Sequence, residues 1–138
     1  MRTTARKEVW RPVVGFESHY AVSSLGRVRR IAPGRGTRAG RIKKQCANTH
    51  GYLHVGLSIP GKRTTLRVHA LVADAFLGPL PIGKERNHRN GVKTDNRARN
   101  LEFVTTAENA RHARRFGLQP TRRAARPGWL AHRAEKAA

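Results

Sequence analysis

Apolar and polar positions along this chain follow two periods, and the switch between them marks out its elements. From Glu8 to Ile31, short apolar bursts at Val13-Val14, Tyr20 to Val22 and Val28 to Ile31 are separated by Gly15 and by Ser23-Ser24-Leu25-Gly26. Bursts of that length between turn formers predict small strands joined by tight turns. Ala32 to Gly40 (A-P-G-R-G-T-R-A-G) has too little apolar content to pack and predicts a flexible basic loop. Strand pattern resumes at Arg41 and is clearest from Tyr52 to Ile59, where Leu53, Val55, Leu57 and Ile59 alternate with Tyr52, His54, Gly56 and Ser58. Pro60-Gly61-Lys62 then reads as a turn, and Arg63 to Arg67 as the returning strand.

The period changes at Val68. Val68, Leu71, Val72, Ala75 and Phe76 recur at the spacing of a buried helix face, and Gly78-Pro79 ends it. Asn90-Gly91 is a turn signal, because both residues tolerate positive φ. Lys93 to Arg99 is polar enough to predict a surface loop, and Asn100 to Val104 resumes alternation with Leu101 and Phe103 inward. Thr105-Thr106-Ala107-Glu108 fits a capping box, so a second helix starts there and runs to about Phe116, with Gly117 as its stop. The layout is strand, loop, strand, helix. On that last helix Asn109 and His112, three apart, share a side.

Charge narrows the partner. The chain has 138 residues, one domain's worth, with 29 Lys+Arg against 8 Asp+Glu and a formal net charge of +21. Such an excess meets a polyanion, and its arginine share suits bidentate contact with phosphate. Arg27, Arg29 and Arg30 form a positive edge on the N-terminal β unit, for which a solvated basic strand is an equally good account. A membrane surface is disfavoured: there is no basic amphipathic helix with a broad apolar face, no lipidation signal, no apolar N-terminal signal core and no run of membrane-spanning length. These features predict an intracellular, soluble protein. The one cysteine, Cys46, leaves no internal disulfide or multi-thiolate zinc site to this chain alone, and reads as a packing residue.

Candidate chemistry gathers between Arg86 and His112. Hydrolysis of a phosphodiester needs a base to activate water, a cation to stabilise charge on the phosphate and leaving oxygen, and a group that holds the base. Asn87-His88, Asn100 and Asn109 offer all three, although asparagines at Asn87, Asn90, Asn96 and Asn100 could equally be loop formers. His69, beside the first helix stripe, reads as a hydrogen-bonded structural residue ahead of a metal ligand, and His50 and His54 as exposed strand or loop residues.

Two resemblances sharpen this. Trp10, Pro12, Gly15, Phe16, Glu17, Tyr20, Val22, Ser23, Gly26, Arg27, Val28 and Arg29 match a small nuclease-associated modular DNA-binding motif, W-x-P-(V/I)-x-G-(F/Y)-E-x-x-Y-x-V-S-x-x-G-R-V-R. His69, Leu71, Val72, Ala73, Ala75, Phe76, Leu77, Asn87, His88, Gly91, Lys93, Asn96, Asn100, Leu101, Glu102, Val104, Thr105, Glu108, Asn109 and His112 fall on a pattern of the HNH nuclease family. It resembles most the branch of phage and intron-borne homing endonucleases.

That resemblance implies an α+β fold: a small N-terminal β unit over 8–31 and an HNH domain over 41–117 with its ββα-metal core at about 86–116. It leaves 118–138 unassigned, and there Pro120, Pro127 and a basic, Ala-rich composition predict a disordered tail. It implies a DNA endonuclease in which His88 is the general base, Asn100 orients its imidazole, and Asn87 is a metal ligand. Asn109 or His112 is the ligand from the helix. With two neutral amides and no assured carboxylate the site suits a hard cation, Mg²⁺ or else Mn²⁺, bound weakly without DNA. Asp95 and Glu108 are the candidates to compensate, although Glu108 already serves as the cap. Arg27, Arg29, Arg30, Arg86, Lys93, Arg111 and Arg115 are the expected DNA contacts, with double-stranded DNA as partner and no small-molecule cofactor. A monomer would nick, a dimer would cut both strands, and the setting would be the cytoplasm of a bacterial or phage-infected cell. The alternatives are an inactive DNA-binding protein on the same fold and a ribosome-associated RNA binder.

Overall fold

A computed structural model describes residues 7–34 and 36–117, so the expectation for the tail lies outside the described residues. Three antiparallel sheets surround one helix. Strands β1 (Trp10–Pro12), β2 (Tyr20–Ser23) and β3 (Val28–Arg30) form a meander in that order. Strands β4 (Cys46–Ala47), β5 (Leu53–Ile59) and β6 (Lys62–Arg67) form a second sheet, and β7 (Lys84–His88) pairs with β8 (Leu101–Thr105) in a third. Helix α1 (Val68–Phe76) touches strands of all three, and α2 (Thr106–Arg115) lies on the β7–β8 hairpin.

The core follows from the pattern. Val68, Leu71, Val72 and Ala73 of α1 pack with Val22, Val28, Val55, Leu57 and Leu101 in one apolar cluster. In β5 the alternation puts Val55 and Leu57 fully inside and leaves Leu53 and Ile59 at the rim. In β8 Leu101 is buried as expected, but Phe103 is only half-buried and Val104 is inside. The hairpin is covered on both faces, by α1 and by α2, so strict alternation does not hold there.

Four local expectations are corrected. The first strand lies at Trp10–Pro12, not at Val13-Val14. Val13 follows its end, buried and bonded to the Tyr20 carbonyl at 3.0 Å, while Val14 faces solvent. Cys46 is exposed on the short strand β4 and is not the packing residue expected. At Asn90-Gly91 only Gly91 takes positive φ (74°), its N–H closing a turn on the His88 carbonyl at 3.0 Å. The polar run Lys93 to Arg99 is not all surface, because Asn96 is 3% exposed.

The N-terminal meander is joined to the second sheet by one buried polar knot. Tyr20, fully buried, donates its hydroxyl proton to the Ser58 carbonyl (2.9 Å) and accepts from the Ser58 N–H (2.9 Å) and from Arg30 Nη1 (2.8 Å). Arg30 also donates to the Ala32 and Ser58 carbonyls. A phenylalanine at this position would keep the ring and strip these partners of a shared oxygen inside the protein. Tyr20→Phe is expected to lower unfolding free energy by about 1–3 kcal/mol in urea titration. A loss below about 0.5 kcal/mol would show that the knot does not hold the two sheets together.

Candidate functional site

The β7–β8 hairpin builds the site because its register is fixed and its two faces meet different helices. Asn87 lies opposite Glu102, Glu85 opposite Val104 and His88 opposite Leu101. Side chains alternate along a strand. Arg86 and His88 therefore turn toward α1, where Arg86 pairs with Asp74 at 2.7 Å and the His88 ring meets that of His69 at 5.2 Å. Glu85 turns toward α2, where it accepts from Asn109 Nδ2 at 2.6 Å.

His88 is buried, and its Nε2 lies 2.7 Å from Asn96 Oδ1. An amide oxygen only accepts, so Nε2 carries the proton and Nδ1 keeps the lone pair. Nδ1 makes no hydrogen bond among the described residues. Burial lowers the His88 pKa below the ordinary histidine value, opposed by the Asn96 bond and by the charge of Asp95. The ring is thus held neutral, in one tautomer, with a free acceptor nitrogen. His112 is near enough for its charge to act on His88 in the same lowering direction.

Asn100 does not touch the ring. Its Oδ1 accepts from the Asn90 N–H (3.2 Å), and its Nδ2 donates to Asn90 Oδ1 (3.0 Å) and to the Asp95 carbonyl (2.8 Å). Asp95, held at a pKa of about 2 chiefly by its hydrogen bonds from Arg97, takes a further bond from Asn90 Nδ2 at 2.8 Å. Asn100 therefore clamps the loop between the strands, and that loop presents Asn96 to His88.

Two amides face carboxylates. Asn87 Nδ2 donates to Glu102 Oε1 at 3.0 Å, as Asn109 Nδ2 does to Glu85. A carboxylate can only accept, so each amide must turn its NH₂ toward the glutamate and its oxygen away. Neither amide oxygen has a hydrogen-bond donor among the described residues. Donation to an anion also polarises an amide and makes its oxygen a better donor to a cation. His112 is placed differently: Nε2 donates to the Arg89 carbonyl at 2.9 Å, the ring lies tilted against Phe116 at 4.5 Å, and Nδ1 is enclosed without a partner among the described residues. Helix α2 starts at the expected capping box, Thr105 and Glu108 bonding each other's backbone N–H.

Three residues escaped the reading of the sequence. Asn96 lies in a polar run that predicts loop, and only its place in the HNH pattern marks it out. Glu102 lay on that pattern too, and Glu85 was legible from alternation, two residues before Asn87 on the same face. These glutamates, not Asp95 or Glu108, stand beside the candidate ligands; Asp95 is taken by Arg97 and Asn90, and Glu108 by the cap. His69 is not the hydrogen-bonded residue expected: it makes no hydrogen bond among the described residues, its Nδ1 is enclosed, and its ring packs against those of Tyr52 and His88.

The expected DNA contacts divide. Arg111 and Arg115 are exposed on α2, and Arg29 is half-buried over the Trp10 ring at 4.1 Å. Arg27 is paired with Glu8 at 2.6 Å, Arg86 with Asp74, and Lys93 Nζ donates to the His50 carbonyl. Arg30, 7% exposed and spent on Tyr20, Ser58 and Ala32, is a strut of the fold and has no free face for a polyanion.

Comparison with known proteins gives two family matches, a NUMOD4 motif over residues 8–58 and an HNH endonuclease over residues 66–111. The SPbeta prophage protein YosQ of Bacillus subtilis (strain 168), which carries the name of an HNH homing endonuclease, is 43% identical over 77 residues, covering 55% of this chain and 44% of its own. DNA endonuclease I-HmuI of Bacillus phage SP01 is 35% identical over 100 residues, covering 72% of this chain and 54% of its own. A solved structure of DNA binding and cleavage by the HNH homing endonuclease I-HmuI superposes with a TM-score of 0.69 at 32% identity, over 85% of this chain and 64% of that one. This chain spans about half the length of those two relatives. Among the described residues no helix is long and apolar enough to cross a membrane.

Burial holds the His69 pKa down at about 3, so the ring stays neutral in the folded protein. The unfolded chain protonates it at about 6.5. Its contribution is therefore present above pH 6.5 and is lost as pH falls from there toward 3. His69→Gln is expected to flatten that acid limb in urea unfolding measured from pH 7 to pH 4. An unchanged slope would place the titration elsewhere.

Proposed function

The chain belongs to the HNH endonuclease family, and on that premise we propose that it is a metal-dependent DNA endonuclease that nicks double-stranded DNA by hydrolysing a phosphodiester bond. The observation that carries this reading is His88: a buried imidazole locked by Asn96 with Nδ1 free, one residue from an amide whose oxygen is turned away from Glu102.

His88 Nδ1 takes the proton from the water that attacks phosphorus. As the ring becomes cationic, Asn96 Oδ1 keeps accepting from Nε2–H, and the nearby charge of Asp95 favours the imidazolium. Asn100 acts by holding the loop that carries Asn96. Members of this family generally use a divalent metal, and the donor set here fits a hard one: two amide oxygens, each on an amide polarised by a glutamate. Asn87 and Asn109 would hold it, with Mg²⁺ preferred and Mn²⁺ accepted, and when bound it would stabilise charge on the scissile phosphate and the leaving oxygen. Asn109 is preferred to His112 as the helix ligand because the imidazole has Nε2 engaged and Nδ1 enclosed.

Arg27, Arg29, Arg86, Lys93, Arg111 and Arg115 would contact phosphates, giving affinity without sequence information. One such centre cuts one strand, so a monomer nicks and two copies are needed for a double-strand break. The work would be done in the cytoplasm of a bacterial or phage-infected cell, a reading that the relatives' phage and prophage origins support. One observation favours the second reading, a DNA-binding protein that does not cleave: among the described residues no three His, Cys, Asp or Glu side chains gather for a metal.

The test is nicking of supercoiled plasmid, or of the DNA flanking the gene, with Mg²⁺ or Mn²⁺. Wild type should convert it to the open circle, EDTA should stop the reaction, and His88→Ala should slow it by about 100-fold or more. If wild type and variant both leave the DNA intact at saturating binding, the second reading stands. Separately, DNA affinity should fall steeply between about 50 and 200 mM salt. A flat response would contradict binding through phosphates.

A further inference from the structure

The turn that closes the N-terminal β2–β3 hairpin lies against the loop that sets His88. Gly26 has φ of 88°, and a Cβ built on it would stand 3.1 Å from both Asn96 Cβ and the Asn96 carbonyl oxygen. A side chain there, besides the strain of that φ, would press on Asn96 and have to displace it. Close by, the Ala98 N–H donates to the Ser24 carbonyl at 2.8 Å, tying the loop to the same turn. The turn is itself braced: Ser23 Oγ accepts from the N–H groups of Leu25 and Arg27, and Gln45 Nε2 donates to the Gly26 carbonyl at 2.8 Å.

Asn96 needs that support. Its Oδ1 faces His88, yet its Nδ2 is enclosed and has no hydrogen-bond partner among the described residues. A buried amide with one of its two ends bonded is not oriented by hydrogen bonds alone. What remains is packing at its Cβ and backbone, and there the neighbour is Gly26.

We propose that the Ser24–Gly26 turn is a positioning element of the nuclease centre: it seats Asn96, and through Asn96 it holds the His88 imidazole in its productive orientation. The N-terminal motif would then act in the cleavage step itself, besides any hold it has on DNA. This rests on the nuclease reading above, with Gly26 acting through Asn96 and touching no reacting atom.

The experiment uses the whole chain. Gly26→Ala should lower the single-turnover nicking rate about tenfold or more while DNA affinity stays within about twofold, as misplacement of a catalytic group does. Gly15→Ala is the control, since Gly15 has nearly the same φ (87°) but, among the described residues, nothing within 4 Å of its built Cβ. It should share the backbone strain and spare the rate. Ala98→Pro removes the bond to Ser24 by a second route. Arg97 before it is already extended (φ −63°, ψ 138°), as a residue preceding proline must be, and Ala98 is the first residue of a short 3-10 helix, a position that proline favours. It should reproduce the rate loss even if Gly26→Ala fails to fold.

The decisive arm repeats Gly26→Ala and Ala98→Pro in an Asn96→Ala background. There each should change the rate by less than about twofold, because the amide through which they act is gone. Effects that multiply, or a Gly15→Ala loss equal to that of Gly26→Ala, overturn the proposal. A second readout needs no cleavage: ¹⁵N spectra of the His88 ring should show the Nε2–H tautomer in wild type and a mixture in Gly26→Ala. An unchanged tautomer overturns the positioning role. A wild type that keeps the tautomer and leaves DNA intact sinks only the nuclease reading.

Discussion

A single buried hydrogen bond, from His88 Nε2 to Asn96 Oδ1, is what the rest of the site is arranged to keep. An imidazole free to rotate has two tautomers and no fixed acceptor. Tied at Nε2 by an oxygen, it has one. The surroundings serve that bond from several directions: Asn100 and Asp95 hold the loop, His69 and Tyr52 wall the ring, and the turn at Gly26 closes on Asn96 from the N-terminal sheet. The bond thus connects parts of the chain that lie far apart in sequence, and it explains why the hairpin loop is densely bonded where loops are usually loose.

Helix α2 makes the complementary point. It has no buried residue, and its side-chain bonds to β7 and the strand end run to Glu85 and to the Arg89 carbonyl. A helix packed for stability would show an apolar stripe, as α1 does with Val68, Leu71 and Val72. Polar docking gives up that stabilisation and gains direction, since Asn109 is aimed by a bond of 2.6 Å.

How much of this could be read beforehand depends on the range of each interaction. The strands over Tyr20 to Val22 and Leu53 to Ile59, the stripe of α1 and the capping box at Thr105 all rest on neighbours a few residues apart, and they were legible. The fold followed. The placement of Asn100 was not, because its pattern position says that it matters and not what it touches; it grips Asn90 and Asp95, and the ring goes to Asn96. Arg30 shows the same limit. Alternation sets Arg30 on the face of buried Val28 and Arg29 on the other, but nothing local announces the Tyr20 hydroxyl that makes an inward arginine tolerable. Cys46 was misread because the edge strand it occupies forms by pairing with His54, a contact that no local pattern announces.

The apparent shortage of negative charge among the candidate ligands also changes meaning. On a chain of net charge +21, carboxylates as direct ligands would bind a divalent cation tightly in the absence of substrate. Here Glu85 and Glu102 stand one bond behind the amides, and Glu102 is partly neutralised by Arg89 at 3.3 Å. Their field reaches the amide oxygens through polarised N–H groups, at a fraction of the strength of direct coordination. On the nuclease reading, the missing charge is supplied by the phosphate, which the basic surface collects first. Metal and DNA would then assemble on the protein together, and an ion held weakly until its substrate arrives is what two amides with glutamates behind them can provide.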